Sequence, residues 1–475
     1  MQNPFPKIRH YVISPDKITS ELVRPFRTFF RHEASSSIIL IGATLLALAW
    51  TNSPFSQTYH RFWETQVSFS MGDSSITRTL RQWIDEGLMA VFFLAVGLEI
   101  KREVLVGELS SVKKALLPVG AALGGMLLPA AIFVVVNKGL PTTKGWGIPM
   151  ATDIAFALGA LFILGKRVPL GLRVFLSALA IADDLGSVLV IALFYSGGLS
   201  LHYLFMSLLV LLLLAVANFL WIRVTLIYAL LGVGLWIVVL GSGLHSTLAG
   251  VVVALFIPAT GRYDTDKFLG NVTRHLSEFA CPPEGCGPSI LQDDRHLSSV
   301  HSIELACHHV ETPLQRLEHA LHPWVAFLVV PLFALANTGI TVVDLDFSQA
   351  LLSPLTLGIA AGLLIGKPIG ISAFSYLFVR AGFASLPRSV TWPQIFGAGV
   401  LGGIGFTMSL FISSLSFREP LLLDHAKLGI LSGSAASGII GLILLFHLTS
   451  RARSDQGDGK DAAAQESYDV SEHDT

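Results

Sequence analysis

The sequence predicts an all-α polytopic membrane protein with about twelve transmembrane helices. Its 475 residues are 52% hydrophobic and only 14% charged, whereas a soluble domain is about 25% charged. The mean hydropathy is +0.64. Apolar runs of about 20 residues, the length that crosses roughly 30 Å of hydrocarbon, recur along the chain. These three observations exclude an ordinary soluble domain.

The apolar runs divide the chain into a membrane domain over 35–450 and three polar parts. These parts are the basic N-terminal segment 1–34, a long insertion at 259–322, and the charged stretch 451–475, whose composition is typical of a disordered tail. The predicted spans are 35–50, 87–105, 114–136, 146–165, 173–196, 201–220, 224–241, 244–258, 323–340, 354–379, 396–416 and 426–448.

The distribution of lysine and arginine predicts the orientation of these spans. If the N-terminus is cytoplasmic, 24 of the basic residues fall on the cytoplasmic side and seven on the other. Such a bias is typical of cytoplasmic loops. We therefore expect both termini and the insertion in the cytoplasm. No basic stripe interleaved with aromatic residues indicates binding to nucleic acid.

Four charged residues lie deep within predicted spans: Asp153, Asp183, Asp184 and Lys367. A charge at the bilayer centre costs roughly 2.5 to 3.5 kcal/mol even on insertion scales, so such residues usually face a cavity or a partner and carry function. The alternative is an internal salt bridge that only holds helices together. That alternative explains one acid per lysine and not three.

Two of the predicted spans are interrupted by helix-weakening residues. The fourth has Gly145, Gly147 and Pro149 just before Thr152 and Asp153, and the eleventh reads GAGVLGGIGFTMSLF. Glycine weakens a helix interior, and broken backbone is tolerated at membrane depth where it is buried in protein or lines water. Because each break is the middle span of a group of three, the pattern indicates inverted repeats with a transport site at the breaks. Helix packing through small residues is the alternative.

The deep oxygen atoms fit a small hard cation. A hydroxyl and three carboxylates, which suit Na⁺ or Li⁺, come from Thr152, Asp153, Asp183 and Asp184. No His or Cys lies beside them to indicate a transition metal. Two carboxylates roughly 5 Å apart repel by on the order of 3 kcal/mol at an effective dielectric of about 20, so one can exchange a proton near neutral pH. A site that binds either the cation or the proton, opened alternately to each side, is an antiporter. Lys367 could neutralise Asp183, or release its own proton when the ion arrives.

At these residues the chain resembles the NhaA family of sodium/proton antiporters. The resemblance covers about residues 35–450 apart from the insertion. The motifs that carry it are LMAVFFLAVGLEIKRE (88–103), GWGIPMATDIAFALG (145–159), ALAIADDLGSV (178–188), SGLHSTLAGV (242–251), RLEHALHPWV (316–325), GLLIGKPIGIS (362–372) and GIGFTMSLFI (403–412).

The resemblance implies an inverted-repeat antiporter fold in which the discontinuous fourth and eleventh helices cross. It implies a secondary transporter of the bacterial inner membrane, not an enzyme, which exchanges Na⁺ or Li⁺ for H⁺ without a cofactor, in contact with membrane lipid and as a possible homodimer. It also implies residue roles. Asp183 and Asp184 would bind the transported cation and proton beside Thr152, with Asp184 as the direct ligand, while Asp153 and Lys367 would offset the half-helix dipoles and Lys367 would pair with Asp183. The positions that match the family's pH-sensing residues are Glu99, Arg102, Glu103, His245, Glu318, His319 and His322.

Two departures from the family pattern bear on regulation. The insertion of about fifty residues between the eighth and ninth spans is much longer than the short family loop, and Gln315 stands where a basic residue often lies beside the sensor. For His319 and His322 the alternative is that they only titrate in solvent. The insertion also offers a possible zinc site, although a solvated loop fits its irregular spacing; the residues concerned are Cys281, Cys286, Cys307, His308 and His309.

Other membrane protein classes fit less well. An intramembrane aspartyl protease also buries two carboxylates, but adjacent residues on one helix point about 100° apart and cannot clasp one water. A cation channel takes rings of ligands from several subunits and has no use for a titrating Lys367. A structural or signalling protein would hold these charges as internal bridges only.

Overall fold

The computed structural model describes residues 33–71, 74–198, 200–261, 264–277, 294–341, 346–387 and 389–472, with the side chains from 450 onward excluded. The described chain is mainly helical. Its helices are Glu33–Thr51, Ser56–Glu64, Leu80–Trp83, Met89–Val106, Val112–Val136, Ile154–Ile163, Leu170–Phe194, Leu201–Phe219, Thr225–Ser242, Leu248–Phe256, Thr265–Ser277, Asp294–Val310, Pro313–Trp324, Val330–Asn337, Phe347–Leu351, Pro354–Ala361, Lys367–Arg380, Trp392–Gly402, Phe406–Ser416 and Pro420–Glu472. The π turns Ile84–Leu88, Val325–Val329 and Gly362–Gly366 join neighbouring segments into longer helices.

Within the described residues, seven helices are long and apolar enough to cross a membrane, or up to ten if each sharply bent pair is one span. A mainly helical, multi-pass membrane protein is therefore confirmed. The other two predicted spans correspond to Met89–Val106, which carries four charged residues, and to the nine-residue helix Leu248–Phe256. The count of twelve stays a prediction.

Both spans that the sequence marks as interrupted are broken in the structure. The first broken pair consists of the 3₁₀ turns within 141–150 and the helix Ile154–Ile163, with a bend of 41°. The second broken pair consists of Trp392–Gly402 and Phe406–Ser416, with a bend of 47°. In the first broken pair, each 3₁₀ turn has a proline within its first two residues. Proline is tolerated there because the first N–H groups of a helix have no acceptor within the helix.

One element corrects the all-α prediction. Strands Gln66–Met71 and Ser74–Thr79 form an antiparallel hairpin in which Val67 pairs with Arg78. Small polar residues and apolar ones alternate along the first strand, a period-2 pattern that favours a strand over a helix. The hairpin follows the amphipathic helix Ser56–Glu64, which bends away from Glu33–Thr51 by 113°. The sequence interpretation overlooked this alternation between two strongly apolar spans.

The helix that carries the predicted ninth span begins earlier than the hydropathy indicates, at Pro313 instead of residue 323. Thr312 caps it through a reciprocal hydrogen-bond pair with Gln315, and proline at the first helical position favours this start. The early turns are amphipathic, which is why the apolar run begins later. The insertion before it contains Thr265–Ser277 and Asp294–Val310.

The last helix runs from Pro420 to Glu472 and so continues past the apolar part of the span, which ends at Thr449. It enters the stretch 451–475, whose composition predicts a disordered tail; that stays a prediction. The domain boundaries drawn from composition likewise remain expectations.

Three helices hold the charged residues together. The helix Leu170–Phe194, called here the aspartate helix, packs against Val112–Val136, which also packs along Lys367–Arg380, the lysine helix. The contact between the last two depends on two glycines. A Cβ at Gly124 would lie 2.2 Å from the Gly370 carbonyl oxygen, and one at Gly370 would lie 2.1 Å from that of Gly124. No side chain fits there, so the two backbones approach closely.

Candidate functional site

Lys367 and Asp183 form a buried ion pair. The lysine Nζ donates to Asp183 Oδ2 at 2.6 Å, and the two side chains are 1% and 2% exposed. The same Nζ donates to Thr152 Oγ1 at 2.7 Å. A buried charge needs such partners, because an unpaired one is very costly in a low dielectric. The lysine helix, the aspartate helix and the first broken pair therefore meet at this lysine.

Asp184 has a different environment, although it is the next residue on the same helix. Among the described side chains, its Oδ1 has no hydrogen-bond partner, and the same holds for Oδ1 of Asp183. Asp184 lines a cavity of about 510 Å³ together with Asp153 and Thr407, and Asp183 does not line it. This volume is called here the aspartate cavity. The adjacent carboxylates are thus divided between an ion pair and a cavity wall.

Asp153 occupies the break of the first broken pair and joins it to the second. Its Oδ1 accepts from the backbone N–H of Phe156 at 3.2 Å, which caps the helix Ile154–Ile163. Its Oδ2 accepts from the backbone N–H of Thr407 at 3.0 Å, at the start of the second half-helix. Helix N-termini carry a partial positive charge. One carboxylate therefore faces the positive ends of two half-helices.

Further hydrogen bonds join the two breaks. The backbone N–H of Asp153 donates to the carbonyl of Ile404 at 2.7 Å, and Thr152 Oγ1 donates to the carbonyl of Gly402 at 2.8 Å. Carbonyl groups that a broken helix leaves without an intrahelical donor thus find partners across the break. Gly405 has no room for a side chain here, because a Cβ would lie 2.8 Å from the Ala151 carbonyl oxygen.

Most of the predicted pH-sensing residues gather at the aspartate cavity. Glu99, Arg102, Glu318 and His322 line it. Arg102 bonds to Glu318, and also to Glu103 at 3.2 Å. Two separate helices, Met89–Val106 and Pro313–Trp324, are thereby joined by one guanidinium.

Two predicted sensor residues lie elsewhere. The ring N–H of His319 donates to the Gln315 carbonyl at 2.9 Å on the exposed side of its helix. His245 lines a second cavity of about 690 Å³, called here the arginine cavity, whose charged lining residues are Arg78, Arg81, Asp85, Glu86, Arg418 and Lys427. The half-helix Phe406–Ser416 contributes to both cavities, and its fully buried Phe411 packs against the ring of His245.

The sequence interpretation missed three residues that contribute here. Thr407 bonds to Asp153, although its position before the apolar part of the span was visible. Asn337 donates to Asp85 at 2.6 Å in the arginine cavity. The acidic pair Asp85 and Glu86 at the start of a span was the available signal. Contacts across such sequence distances have no local signature.

The described residues contain no group of three or more His, Cys, Asp or Glu side chains that could hold a metal ion. The residues of the possible zinc site in the insertion lie mainly outside this part of the chain. Cys281 and Cys286 fall outside the described residues, as do the side chains of His308 and His309, while Cys307 is exposed.

Known proteins of one family match this chain over most of its length. The family model described as Na⁺/H⁺ antiporter 1 matches residues 27–445. The Na(+)/H(+) antiporter NhaA 2 of Syntrophotalea carbinolica is 48% identical over 90% of this chain and 98% of its own. The Na(+)/H(+) antiporter NhaA of Oleidesulfovibrio alaskensis is 47% identical over 90% and 94%, and that of Acidithiobacillus ferrooxidans is 47% identical over 90% and 99%.

Among solved structures, a sodium proton antiporter from Methanocaldococcus jannaschii at pH 8 covers 92% of this chain and 94% of its own, with 12% sequence identity and a TM-score of 0.43. At this TM-score the likeness does not support a conclusion about the fold. The family match and the three close relatives confirm the resemblance that the motifs indicate: the chain belongs to the NhaA family of Na⁺/H⁺ antiporters.

Proposed function

We propose that the protein exchanges cytoplasmic Na⁺, and Li⁺ as an alternative ion, for external protons, and so serves sodium and pH homeostasis in the bacterial inner membrane. The observation that carries the proposal is the division between the two adjacent carboxylates. Asp183 is held by Lys367, while Asp184 faces the aspartate cavity with an oxygen that lacks a hydrogen-bond partner among the described side chains. A cation with oxygen ligands suits such a carboxylate.

In the proposed cycle, Asp184 is the direct ligand and Thr152 and Asp183 complete the site. Cation and proton compete for the same oxygens, so the site carries one or the other and not both. When the cation leaves on one side and a proton enters from the other, exchange is coupled without ATP. Two arrangements remain open for Lys367: it keeps its proton and neutralises Asp183, or it releases the proton when the cation arrives.

We also propose the finer architecture that the family resemblance implies. The two broken pairs would be the fourth and eleventh of twelve spans in an inverted-repeat fold, crossing at their breaks. Support comes from the contacts between Asp153 and the second broken pair. In this arrangement Asp153 offsets the positive half-helix ends, and Lys367 offsets the negative ends. Both termini would be cytoplasmic, membrane lipid would surround the chain, and two chains could form a homodimer.

Exchange would be electrogenic and controlled by pH. Two titrating groups that serve one monovalent cation would move net charge in each cycle. The charged cluster around Arg102 and Glu318 lines the same cavity as Asp184, so its protonation would change the field at the ion site. We assign pH sensing to this cluster with Glu99, Glu103, His319 and His322, and in the arginine cavity to His245.

The test uses everted vesicles from a bacterial strain that lacks its own sodium/proton antiporters. With a pH gradient imposed by respiration and followed by an acridine dye, added NaCl or LiCl should restore the quenched fluorescence for the wild-type protein. Asp184→Asn should abolish this response, because the neutral amide cannot exchange cation for proton. Asp266→Asn, an exposed acid of the insertion, is the matched control and should respond normally. A wild-type protein without response would refute the function, and a normal response from Asp184→Asn would refute the site.

A further inference from the structure

An apolar crevice separates the aspartate helix from a group of three neighbouring helices. Its volume is about 730 Å³, which is large enough for a sizeable ligand. One wall consists of the part of the aspartate helix that follows Asp184, and the other comes from the helices Leu201–Phe219, Thr225–Ser242 and Leu248–Phe256. Lining residues on the aspartate helix are Leu185, Val188, Leu189 and Ala192.

The walls of the crevice offer nothing to a polar ligand. Every lining residue is apolar except Ser207, and the Ser207 hydroxyl donates to the carbonyl of Tyr203 at 2.9 Å. A trapped water needs two to four polar partners. Water is therefore a poor occupant, and a charged or hydrogen-bonding ligand is excluded.

The mouth of the crevice continues into an exposed apolar face of the protein. Leu189, Phe205 and Leu208 line it and are 60%, 65% and 62% exposed. Only 17% of the span window within Leu201–Phe219 is buried inside the protein. In a membrane protein such a face contacts hydrocarbon, so the medium at the mouth is lipid.

We propose that the acyl chain of a bilayer phospholipid occupies this crevice. Hydrocarbon fits both the walls and the surrounding medium, and it fills an apolar space in which water would lack hydrogen-bond partners. The inference depends on the membrane location and not on the ion that is transported. It has a consequence for transport, because the chain would lie against the aspartate helix within about two turns of Asp184. Any movement of this helix relative to the other three would then change the lipid contact.

The proposal is tested by photolabelling of the full-length protein in nanodiscs of phosphatidylethanolamine that carries a diazirine on one acyl chain. The wild-type protein should be labelled at residues 185–192 and 201–211. Ala192→Phe places a ring in the crevice and should reduce this labelling several-fold, because the ring takes the space of the acyl chain. The matched control is Ala131→Phe, because Ala131 is an exposed residue of Val112–Val136 that lies outside the crevice. The Ala131→Phe protein should show the same labelling of the crevice residues as the wild-type protein.

Equal labelling of Ala192→Phe and wild type at residues 185–192 would overturn the proposal, as would wild-type labelling no stronger than that of the exposed Leu230. A second variant covers the case in which Ala192→Phe fails to elute as a folded protein. Leu189→Ala widens the crevice and should increase labelling at Val188. Unchanged or weaker labelling there would equally contradict an acyl chain at this position. Loss of Na⁺/H⁺ exchange in the vesicle assay is a separate result and does not decide this one.

Discussion

Replacing Lys367 by methionine should destabilise the protein strongly, and also replacing Asp183 by asparagine should restore most of the lost stability. Lys367→Met removes the cation from a pair in which both side chains are almost completely buried. The remaining carboxylate keeps its desolvation penalty without its partner. In the double variant Asp183→Asn/Lys367→Met, no unpaired charge is left. We expect this double variant to be folded but inactive in transport.

The magnitude follows from the geometry. At the Nζ–Oδ2 distance of 2.6 Å, Coulomb's law gives about 6 kcal/mol of attraction at an effective dielectric of about 20. Desolvation of the two ions removes several kcal/mol each from this gain, so the net value of the pair is small. Removing one partner of such a pair costs about 3 to 5 kcal/mol. The double variant should lie within about 1 to 2 kcal/mol of wild type.

The assay is equilibrium unfolding by sodium dodecyl sulfate in mixed micelles, followed by tryptophan fluorescence, for wild type, both single variants and the double variant. Lys114→Met is the matched control, because the Lys114–Glu108 pair has a separation of 4.0 Å and side chains that are 57% and 43% exposed. An exposed pair contributes at most about 1 kcal/mol. If Lys367→Met unfolds at the same detergent fraction as this control, the reasoning about the buried pair is refuted. A double variant with normal Na⁺/H⁺ exchange would leave the pair as a structural bridge only.

The remaining predictions concern helix packing and pH control. Gly370→Ala should lower the free energy of unfolding by about 1 to 3 kcal/mol, because its Cβ would lie 2.1 Å from the Gly124 carbonyl oxygen. The control is Gly42→Ala, where a Cβ would have nothing within 4 Å; it should raise the free energy of unfolding by up to about 1 kcal/mol. Equal effects of the two substitutions in the unfolding assay would contradict the close approach of the helices. Glu318→Gln removes a negative charge from the cavity of Asp184, so the pH profile of exchange should move to lower pH. An unmoved profile would show that Glu318 has no sensing role.

The positions of the charged site residues could be predicted because a charge in an apolar run is visible in the sequence itself. The same holds for the interrupted spans, since Gly147 and Pro149 weaken a helix wherever they occur. The partners of these groups could not be predicted in this way. Asp153 and Thr407 are 254 positions apart, and nothing local to either residue indicates the other. The pairing of Lys367 with Asp183 was expected from the family resemblance and not from spacing.

The sequence was least informative where two kinds of pattern lie side by side. The hairpin from Gln66 to Thr79 has a period of two but only six residues in each strand, and it stands between apolar spans that dominate a hydropathy profile. The early start of the helix at Pro313 was hidden for a related reason, because its first turns are amphipathic. In both cases the missing information is which side of a short element faces the protein, and tertiary packing supplies that.

The adjacency of Asp183 and Asp184 has a simple physical reading in the fold. Neighbouring residues on a helix point about 100° apart, so a helix placed between the lysine helix and a cavity presents one carboxylate to each. Asp183 is held by Lys367 and Asp184 remains at the cavity wall. A single aspartate at either position would face the lysine or the cavity, and not both. Two consecutive aspartates therefore give this helix one carboxylate for the lysine and a second for the cavity, and the exchange proposed above needs the second one for the cation.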